Sequence, residues 1–267
     1  MATGRMQYLS EALNCITEFS FVLTNDPREE ESAGNPWYDR PPRTLYLLHG
    51  YTGIDTDWLW GGGNAQLLAR RYHLNLFLPT GGTSFYLDRE GAGNGYGRFV
   101  GREFVEYTRA TFGLSRRRED TLIGGYSMGG FGALHAAFTY PETFGGAIAL
   151  SSANPTEGED PEGTGAPGSR LDPVLYRTLF GDPETAAASL ANPRVRARRA
   201  LEAGAALPPL YLACGTEDPL IHVNRRYRDF FQPRLEQFAY AEAPGLHDWA
   251  FWNAHLQQGL EWLLERL

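Results

Sequence analysis

The sequence predicts an α/β fold with a largely parallel central sheet, and three observations support this prediction. Short apolar runs alternate along the chain with stretches of helical periodicity. The later runs are continuously apolar, which is typical of parallel strands buried on both faces. The chain has 267 residues, of which 42% are hydrophobic, enough to bury a sizeable core. We therefore expect a single domain over residues 1–267, built from strands that alternate with helices.

Seven runs rich in apolar, β-branched and aromatic residues are predicted strands. They lie at residues 18–23, 44–48, 74–78, 121–125, 147–150, 210–214 and 237–241. Helices are predicted between and after them, at residues 64–71, 99–112, 128–139, 220–231 and 248–267. The last helix has an apolar stripe at helical spacing, formed by Trp249, Trp252, Leu256, Leu260 and Leu263.

Residues 154–207 interrupt this alternation. The segment begins with the Pro-, Gly- and acid-rich stretch PTEGEDPEGTGAPGSRLDP and continues through the arginine-rich RVRARR. We expect a flexible loop with short helices, inserted between two strands. A long insertion in a compact domain is either a solvated excursion or a lid over a binding site, and the sequence leaves both open.

The charge balance argues against nucleic acid as a partner. The formal net charge is −8, from 24 basic and 32 acidic residues, so phosphate backbones and anionic membranes repel the chain overall. All the basic residues are arginines, so neither a Schiff-base lysine nor the lysine of an NTPase P-loop is available. No apolar run reaches about 18 residues, and residues 1–25 do not resemble a secretory leader. We expect a cytoplasmic protein with no membrane partner; a homo-oligomer remains open.

The sequence indicates neither a metal nor a cofactor. The six histidines form no HExxH motif or other close ligand pair. A GxGxxG match at residues 163–168 follows no predicted strand and contains Pro167 where a helix should run, so it does not indicate a dinucleotide site. Cys15 and Cys214 lie far apart in the chain, and we expect both to be buried free thiols.

The most informative segment surrounds Ser127. It contains the pentapeptide Gly125-Tyr-Ser127-Met-Gly129, preceded by the strand-like TLIGG and followed by a helix rich in small residues. A strand, a sharp turn and a helix form the setting in which a nucleophilic serine is raised at the end of a parallel sheet. The two glycines are needed because the backbone of the nucleophile is strained and a Cβ would hold strand and helix apart.

A serine hydroxyl becomes a nucleophile only beside a base, and the base needs an orienting acid. In the order Ser, acid, His, each partner lies on a loop after a later strand. Asp218 follows the predicted strand 210–214, and His247 follows the strand 237–241. The sequence therefore predicts a triad of Ser127, Asp218 and His247.

Both partners have rivals in the sequence. Glu217 adjoins Asp218, but Asp218 precedes Pro219, at the expected transition from loop to helix. His222 and His255 compete with His247 for the role of base, but each falls within a predicted helix.

Ester hydrolysis also needs donors for the oxyanion of the tetrahedral intermediate. One predicted donor is the backbone N–H of Met128, directly after the nucleophile. The other is the N–H of Tyr51, because the strand 44–48 ends in a His49-Gly50 turn; Thr52 is the alternative.

Four segments resemble the esterase D-type branch of the α/β-hydrolases, the branch of tributyrin and acetyl esterases, feruloyl esterases, S-formylglutathione hydrolases and mycolyltransferases. They are LYLLHGYTGIDTDW, GGYSMGGFGALHAAFTYPETFGGAIALSSA, LYLACGTEDPL and GLHDWAFWNAHLQQGLEWL. The resemblance implies an α/β-hydrolase fold with an insertion or cap after the sixth strand. It also implies the same triad and the same two oxyanion amides, and it requires no cofactor.

The function expected from these features is that of a serine carboxylesterase acting on short-chain acyl or cinnamoyl esters, small-molecule substrates. Aromatic residues cluster in sequence near the predicted active-site loops, and Trp58, Tyr86 and Trp249 are candidates for substrate binding. Two alternatives remain: an acyltransferase of the same fold with an alcohol or sugar acceptor, and a non-catalytic binding protein.

Overall fold

A computed structural model describes residues 1–157 and 171–267, and the GxGxxG match lies outside them. The described residues contain one eight-stranded sheet. Its strands are β1 (Ala2–Ser10), β2 (Cys15–Leu23), β3 (Arg43–Leu48), β4 (Leu74–Pro79), β5 (Thr121–Tyr126), β6 (Gly146–Leu150), β7 (Leu210–Gly215) and β8 (Phe238–Ala243). Their order across the sheet is β1-β2-β4-β3-β5-β6-β7-β8.

The sheet is mostly parallel, as predicted. Strands β3 to β8 pair in parallel, and only β2 runs against its neighbours β1 and β4. Every residue of β3, β4, β5, β6 and β7 is buried. These are the strands whose sequences read as continuous apolar runs, since a sheet covered on both faces does not need polar residues on either.

Strand β1 is absent from the sequence-based prediction. It lies at the edge of the sheet, pairs with β2 along its whole length, and is mostly exposed. An edge strand with one solvated face alternates polar and apolar residues, so it lacks an apolar run. The prediction for Cys15 is also wrong: this free thiol lies at the start of β2 and is exposed, whereas Cys214 is free and buried.

Helices cover both faces of the sheet. In the described residues they are α1 (Glu29–Ser32), α2 (Ala65–Tyr72), α3 (Tyr96–Arg98), α4 (Phe104–Phe112), α5 (Met128–Thr139), α6 (Pro173–Phe180), α7 (Pro183–Ala186), α8 (Pro193–Glu202), α9 (Ile221–Phe231) and α10 (Trp249–Leu264). A π-helical turn, Phe99–Glu103, joins α3 to α4.

Two apolar clusters flank the sheet. On β3, Tyr46 and Leu48 belong to one cluster and Leu45 and Leu47 to the other. Because side chains alternate along a strand, the two clusters lie on opposite faces. The core is therefore a three-layer arrangement of helices, sheet and helices.

The described part of the 154–207 segment contains the short helices α6, α7 and α8. Each begins with proline after a capping side chain: Asp172, Asp182 and Asn192 accept hydrogen bonds from backbone amides of the first turn. An Asx cap followed by proline favours a helix start in a polar sequence. The segment follows β6 and leads into β7.

Candidate active site

Ser127 occupies a strained turn between β5 and α5. Its backbone angles are φ 55° and ψ −119°, which an L-residue rarely adopts. The turn is held on both sides, because the Ser127 N–H donates to the Leu150 carbonyl at 2.9 Å and the Ala153 N–H donates to the Ser127 carbonyl at 3.1 Å. Strain of this kind persists only where the surroundings impose it, and it is concentrated at functional sites.

The two glycines of the motif allow this turn to form. A Cβ on Gly125 would lie 2.4 Å from the carbonyl carbon of Gly129, and a Cβ on Gly129 would lie 2.3 Å from the Leu48 oxygen. Both distances are far below van der Waals contact. Strand β5, helix α5 and the end of β3 can therefore approach only without side chains at these positions.

His247 and Asp218 form a hydrogen-bonded pair. His247 Nδ1 lies 2.9 Å from Asp218 Oδ2, and the imidazole is 28% exposed while the carboxylate is fully enclosed. Asp218 follows β7, and His247 lies between β8 and α10. With Nδ1 as the donor to the carboxylate, Nε2 is left as the basic nitrogen.

The rival residues have other partners. Glu217 accepts a hydrogen bond from the Gly245 N–H at 2.5 Å, so it supports the loop that carries the histidine. His222 is exposed, and His255 Nδ1 pairs with the Tyr211 hydroxyl at 3.1 Å. Among the histidines in the described part of the chain, only His247 has a carboxylate oxygen within 4.0 Å of a ring nitrogen.

Several groups keep the Asp218 carboxyl ionised. Burial raises its pKa, but the hydrogen bond and charge of His247, the Ser151 hydroxyl and the Leu220 N–H together hold the pKa below its usual value. The Leu220 N–H donates to Oδ1 at 2.8 Å. The acid is thus available as an anion at neutral pH.

Ser151 is a residue that the sequence analysis missed. It follows β6, is fully buried, and has a φ of 45°. Its Oγ accepts a hydrogen bond from Trp252 Nε1 at 3.0 Å, and its hydroxyl interacts with Asp218. An indole N–H can only donate, so the hydroxyl proton is left for another acceptor, and the hydroxyl lowers the pKa of both the Asp218 carboxyl and the Cys214 thiol. No sequence motif marks this role; the pairing of β6 with β7 brings the two residues together.

The three predicted triad residues follow β5, β7 and β8, at the same edge of the sheet. The structure joins His247 to Asp218, but among the described residues no hydrogen bond links Ser127 Oγ to His247. Such bonds are often long in unliganded enzymes and shorten when substrate binds.

The predicted oxyanion loop is fixed by His49. This buried imidazole donates from Nδ1 to the Gly50 carbonyl at 2.8 Å and accepts at Nε2 from the Gly81 N–H at 2.8 Å. Burial lowers its pKa, so the neutral tautomer that these two bonds require is favoured. Tyr51 and Thr52 follow directly, and Thr52 has a φ of 63°.

The two predicted oxyanion amides follow neighbouring strands. Strands β3 and β5 pair in parallel, with Leu48 opposite Gly125. Tyr51 and Met128 each lie three residues beyond this pair, at the same edge of the sheet. Their role as oxyanion donors stays a prediction.

The three aromatic candidates lie at different depths. Trp58 and Tyr86 are each 1% exposed, and they donate to the carbonyls of Leu48 and His49, both at 3.0 Å. They therefore support the predicted oxyanion loop through the residues that precede it. Trp249 is half-buried at the start of α10, edge-on to Trp58. Substrate binding by these residues stays a prediction.

Comparison with known proteins identifies the chain. Residues 10–263 match the model of a family described as "Putative esterase". The chain belongs to this esterase family. Over 224 residues, the esterase is 39% identical to the acetyl esterase of Caldicellulosiruptor saccharolyticus, with 83% of each chain covered. The family resemblance predicted from the motifs is thereby confirmed, and the protein is a carboxylic ester hydrolase.

Solved structures confirm the α/β-hydrolase fold. The esterase superimposes on fluorophosphonate-binding serine hydrolase F of Staphylococcus aureus with a TM-score of 0.81, at 22% identity and over 98% of both chains. The S-formylglutathione hydrolase FrmB of the same organism gives the same values. A ferulic acid esterase has a TM-score of 0.75 at 20% identity, covering 100% of this chain and 98% of its own.

Two further observations concern metals and membranes. Among residues 1–157 and 171–267, no group of three or more His, Cys, Asp or Glu side chains is arranged to hold a metal ion. The helices of the same residues include none that is both long and apolar enough to cross a membrane.

Proposed function

We propose that this esterase is a serine carboxylesterase of short-chain acyl or cinnamoyl esters, with Ser127, His247 and Asp218 as its triad. The observation that carries the proposal is the His247–Asp218 pair, at the same sheet edge as the strained Ser127 turn. The relative named as an acetyl esterase supports a short acyl group. The half-buried Trp249 supports an aromatic wall beside it.

In the proposed reaction, Ser127 Oγ attacks the ester carbonyl carbon while His247 Nε2 takes the hydroxyl proton. Asp218 holds the imidazole orientation and stabilises the imidazolium that forms. The N–H groups of Tyr51 and Met128 bind the oxyanion. Collapse of the intermediate breaks the bond to the alcohol, which leaves with the proton from His247.

Water then attacks the acyl-enzyme. His247 takes a proton from the water as its oxygen bonds to the acyl carbon, and returns it to Ser127 Oγ as the acid is released. The enzyme is regenerated unchanged, and the net reaction is ester plus water to acid plus alcohol.

We also infer that the described part of the 154–207 segment, residues 154–157 and 171–207, forms a cap of the single domain. The segment starts at the nucleophile, since the Ala153 N–H donates to the Ser127 carbonyl. On α6, Phe180 lies edge-on to Phe131, whose own N–H donates to that carbonyl. These contacts support a position of the segment beside the ester-binding cleft.

The test is hydrolysis of p-nitrophenyl esters from acetate to octanoate, with methyl ferulate, by the wild type and Ser127→Ala. We expect kcat to fall by several orders of magnitude in the folded variant, and Ser32→Ala, on the surface, to be unchanged. Circular dichroism checks folding. Full activity in Ser127→Ala would exclude the triad, and the acyl profile would decide between aliphatic and cinnamoyl esters.

A further inference from the structure

A cavity of about 620 Å³ lies at the end of the sheet opposite Ser127. Its lining includes Arg43, the first residue of β3, Asn75, the second residue of β4, and Asp120, just before β5. Ser127 follows the other end of β5, so the six residues of that strand, about 20 Å, separate the two sites. The volume is in the range of small-molecule sites.

Arg43 brings a buried and poorly paired charge to this cavity. The residue is 6% exposed, and the one hydrogen bond of its side chain among the described residues is from Nε to Asp120 Oδ1, at 3.4 Å. Its Nη1 is enclosed and has no acceptor. A buried guanidinium with unfilled donors is costly, because each donor has given up its water.

Arg40 adds a second charge without a carboxylate partner in the described residues. It donates to the carbonyls of Pro41 and Tyr72, at 3.0 and 3.2 Å. Burial, and then the neighbouring charge of Arg43, lower its pKa to about 10. The two guanidinium groups therefore repel each other across the cavity wall.

The one carboxylate in the cavity does not balance these charges. Asp120 also accepts from Arg117 at 3.0 Å and from the Ser115 hydroxyl at 2.6 Å. Three arginines thus line the cavity with one aspartate. Arg117 also pairs with Glu119 at 3.1 Å and Arg43 pairs with Asp120 at 3.4 Å, so within the described residues Arg40 is the lining arginine without a carboxylate partner.

The rest of the lining combines one more donor with an apolar wall. Asn75 is 7% exposed; its Oδ1 accepts from the Thr24 N–H at 3.0 Å, while its Nδ2 has no acceptor within residues 1–157 and 171–267. The apolar part of the wall is formed by Leu23, Pro42, Phe112 and Leu114.

We propose that this cavity binds a small organic monoanion, a carboxylate with an apolar body. The carboxylate pairs with the guanidinium groups of Arg40 and Arg43 through the N–H groups that face the cavity, not through the enclosed Arg43 Nη1, since guanidinium groups bind carboxylates with paired hydrogen bonds. The Asn75 amide is the further donor in the lining. The hydrocarbon part covers the wall of Phe112 and Leu114. Three arginines in one cavity, of which Arg40 has no carboxylate partner in the described residues, distinguish this site from an ordinary surface cleft.

The test is isothermal titration calorimetry with sodium hexanoate at low ionic strength. We expect the wild type to bind hexanoate saturably, and Arg40→Gln to bind it at least about tenfold more weakly, because a charge-assisted partner is lost. The matched control is Arg102→Gln, since Arg102 is exposed and lies outside the cavity lining. It should bind like the wild type, and 1-hexanol and inorganic phosphate should bind about tenfold more weakly than hexanoate.

Each other outcome contradicts the proposal. Hexanoate held near Ser127 would be indifferent to Arg40→Gln, so equal affinity in that variant excludes the cavity. If 1-hexanol binds as tightly as hexanoate, the site does not select an anion. If inorganic phosphate binds more tightly than hexanoate, the site does not select the hydrocarbon part of the ligand. If circular dichroism shows Arg40→Gln unfolded, Leu114→Trp fills the apolar end instead and should weaken binding to the same degree. Absence of binding to the wild type overturns the site.

Discussion

Ser151 places a hydroxyl beside the carboxylate that orients the proposed base. Asp218 has two oxygens: Oδ2 faces His247 Nδ1 at 2.9 Å, and Oδ1 accepts the Leu220 N–H at 2.8 Å. The Ser151 hydroxyl, whose Oγ is held by Trp252, is a further group that lowers the pKa of this carboxyl. A buried anion with several partners keeps one orientation, so these contacts position the imidazole. Ser151 is thus a positioning residue for the proposed reaction.

Replacing Ser151 by alanine tests this role. We expect kcat/KM to fall about tenfold, because a hydrogen-bonding partner of a buried charge is lost. Without that hydroxyl the pKa of Asp218 rises, and the more basic carboxylate moves the acid limb of the pH–rate profile to higher pH. The profile of kcat/KM between pH 4 and 9 measures both effects.

The control is the neighbouring buried serine. Ser152→Ala removes a hydroxyl that donates to the Ala153 carbonyl at 3.2 Å, not to Asp218. Its acid limb should coincide with that of the wild type. A loss of rate in Ser151→Ala without a shift of that limb would reduce Ser151 to a packing residue.

Asp218→Asn and Glu217→Gln separate the two adjacent acids. In Asp218→Asn the amide cannot hold the imidazole in the required tautomer, and we expect kcat to fall about a thousandfold or more. Glu217→Gln keeps an acceptor for the Gly245 N–H and should retain most of the activity. Initial rates of p-nitrophenyl acetate hydrolysis by the two variants show which of the two acids supports the base. Unchanged activity in Asp218→Asn would transfer the acid role to Glu217.

At the scale of elements, the insertion is attached to the body of the fold through α6 and α5. Phe180 on α6 is 4% exposed, with ring centroids 5.1 Å from Phe85 and 6.1 Å from Phe131. His135 Nε2 lies 3.1 Å from the Leu190 carbonyl, which adds a polar contact between α5 and the segment before α8. These contacts hold the insertion beside the nucleophile turn.

Phe180→Ala should therefore destabilise the protein. Removing a buried aromatic ring leaves a cavity and lowers the free energy of unfolding by about 3–5 kcal/mol. On the same helix, Val174 is 73% exposed, and Val174→Ala should change the free energy by less than about 0.5 kcal/mol. Urea denaturation followed by circular dichroism compares the two. Equal, small effects would mean that α6 is not docked on α5.

The elements that the sequence predicts well are those with a local signal. Strands β3 to β7 are recognised because burial on both faces makes them continuously apolar. For the insertion the sequence predicts short helices without their bounds, and the Asx-Pro starts of α6, α7 and α8 are a finding of the structure. Strand β1 is missed because half of it faces solvent. For the candidate site, Asp218 and His247 follow from their order along the chain. Ser151 does not, since its contact with Asp218 arises only when β6 pairs with β7.

At the scale of the whole molecule, the two ends of the parallel strands carry different groups. The carboxyl edge has Ser127, the paired His247 and Asp218, and the loop fixed by His49. The amino edge has the arginine-lined cavity. Both edges belong to one sheet, so the titratable groups of both contribute to the pH dependence of the same free energy of unfolding. The other titratable groups that folding buries contribute to it as well.

Four histidines make that free energy depend on pH. Burial lowers the pKa of each in the folded state: His49, His73, His135 and His255. A lowered pKa means that the unfolded chain binds more protons as pH falls below about 6.5, so the folded state loses stability from there downward. Carboxyl groups whose pKa is lowered, Asp120 and Asp218 among them, extend the loss below about pH 4.5.

His135 should make the largest single contribution of a histidine between pH 6 and pH 4. Burial, and then the charge of Arg196, lower its pKa to about 3, so throughout this interval it is protonated in the unfolded chain and neutral in the folded one. One such proton changes the free energy of unfolding by about 1.4 kcal/mol per pH unit. His135→Gln removes the titration, and its free energy of unfolding should vary with pH less steeply by up to about that amount. Urea denaturation at pH 6, 5 and 4 gives the slope of the free energy of unfolding against pH. This slope is not affected by a constant change in stability that the substitution itself causes. The control is His222→Gln, at an exposed histidine, which should keep the wild-type slope. An unchanged slope in His135→Gln would mean that this imidazole is protonated within the folded protein and that its contact with Leu190 is rearranged.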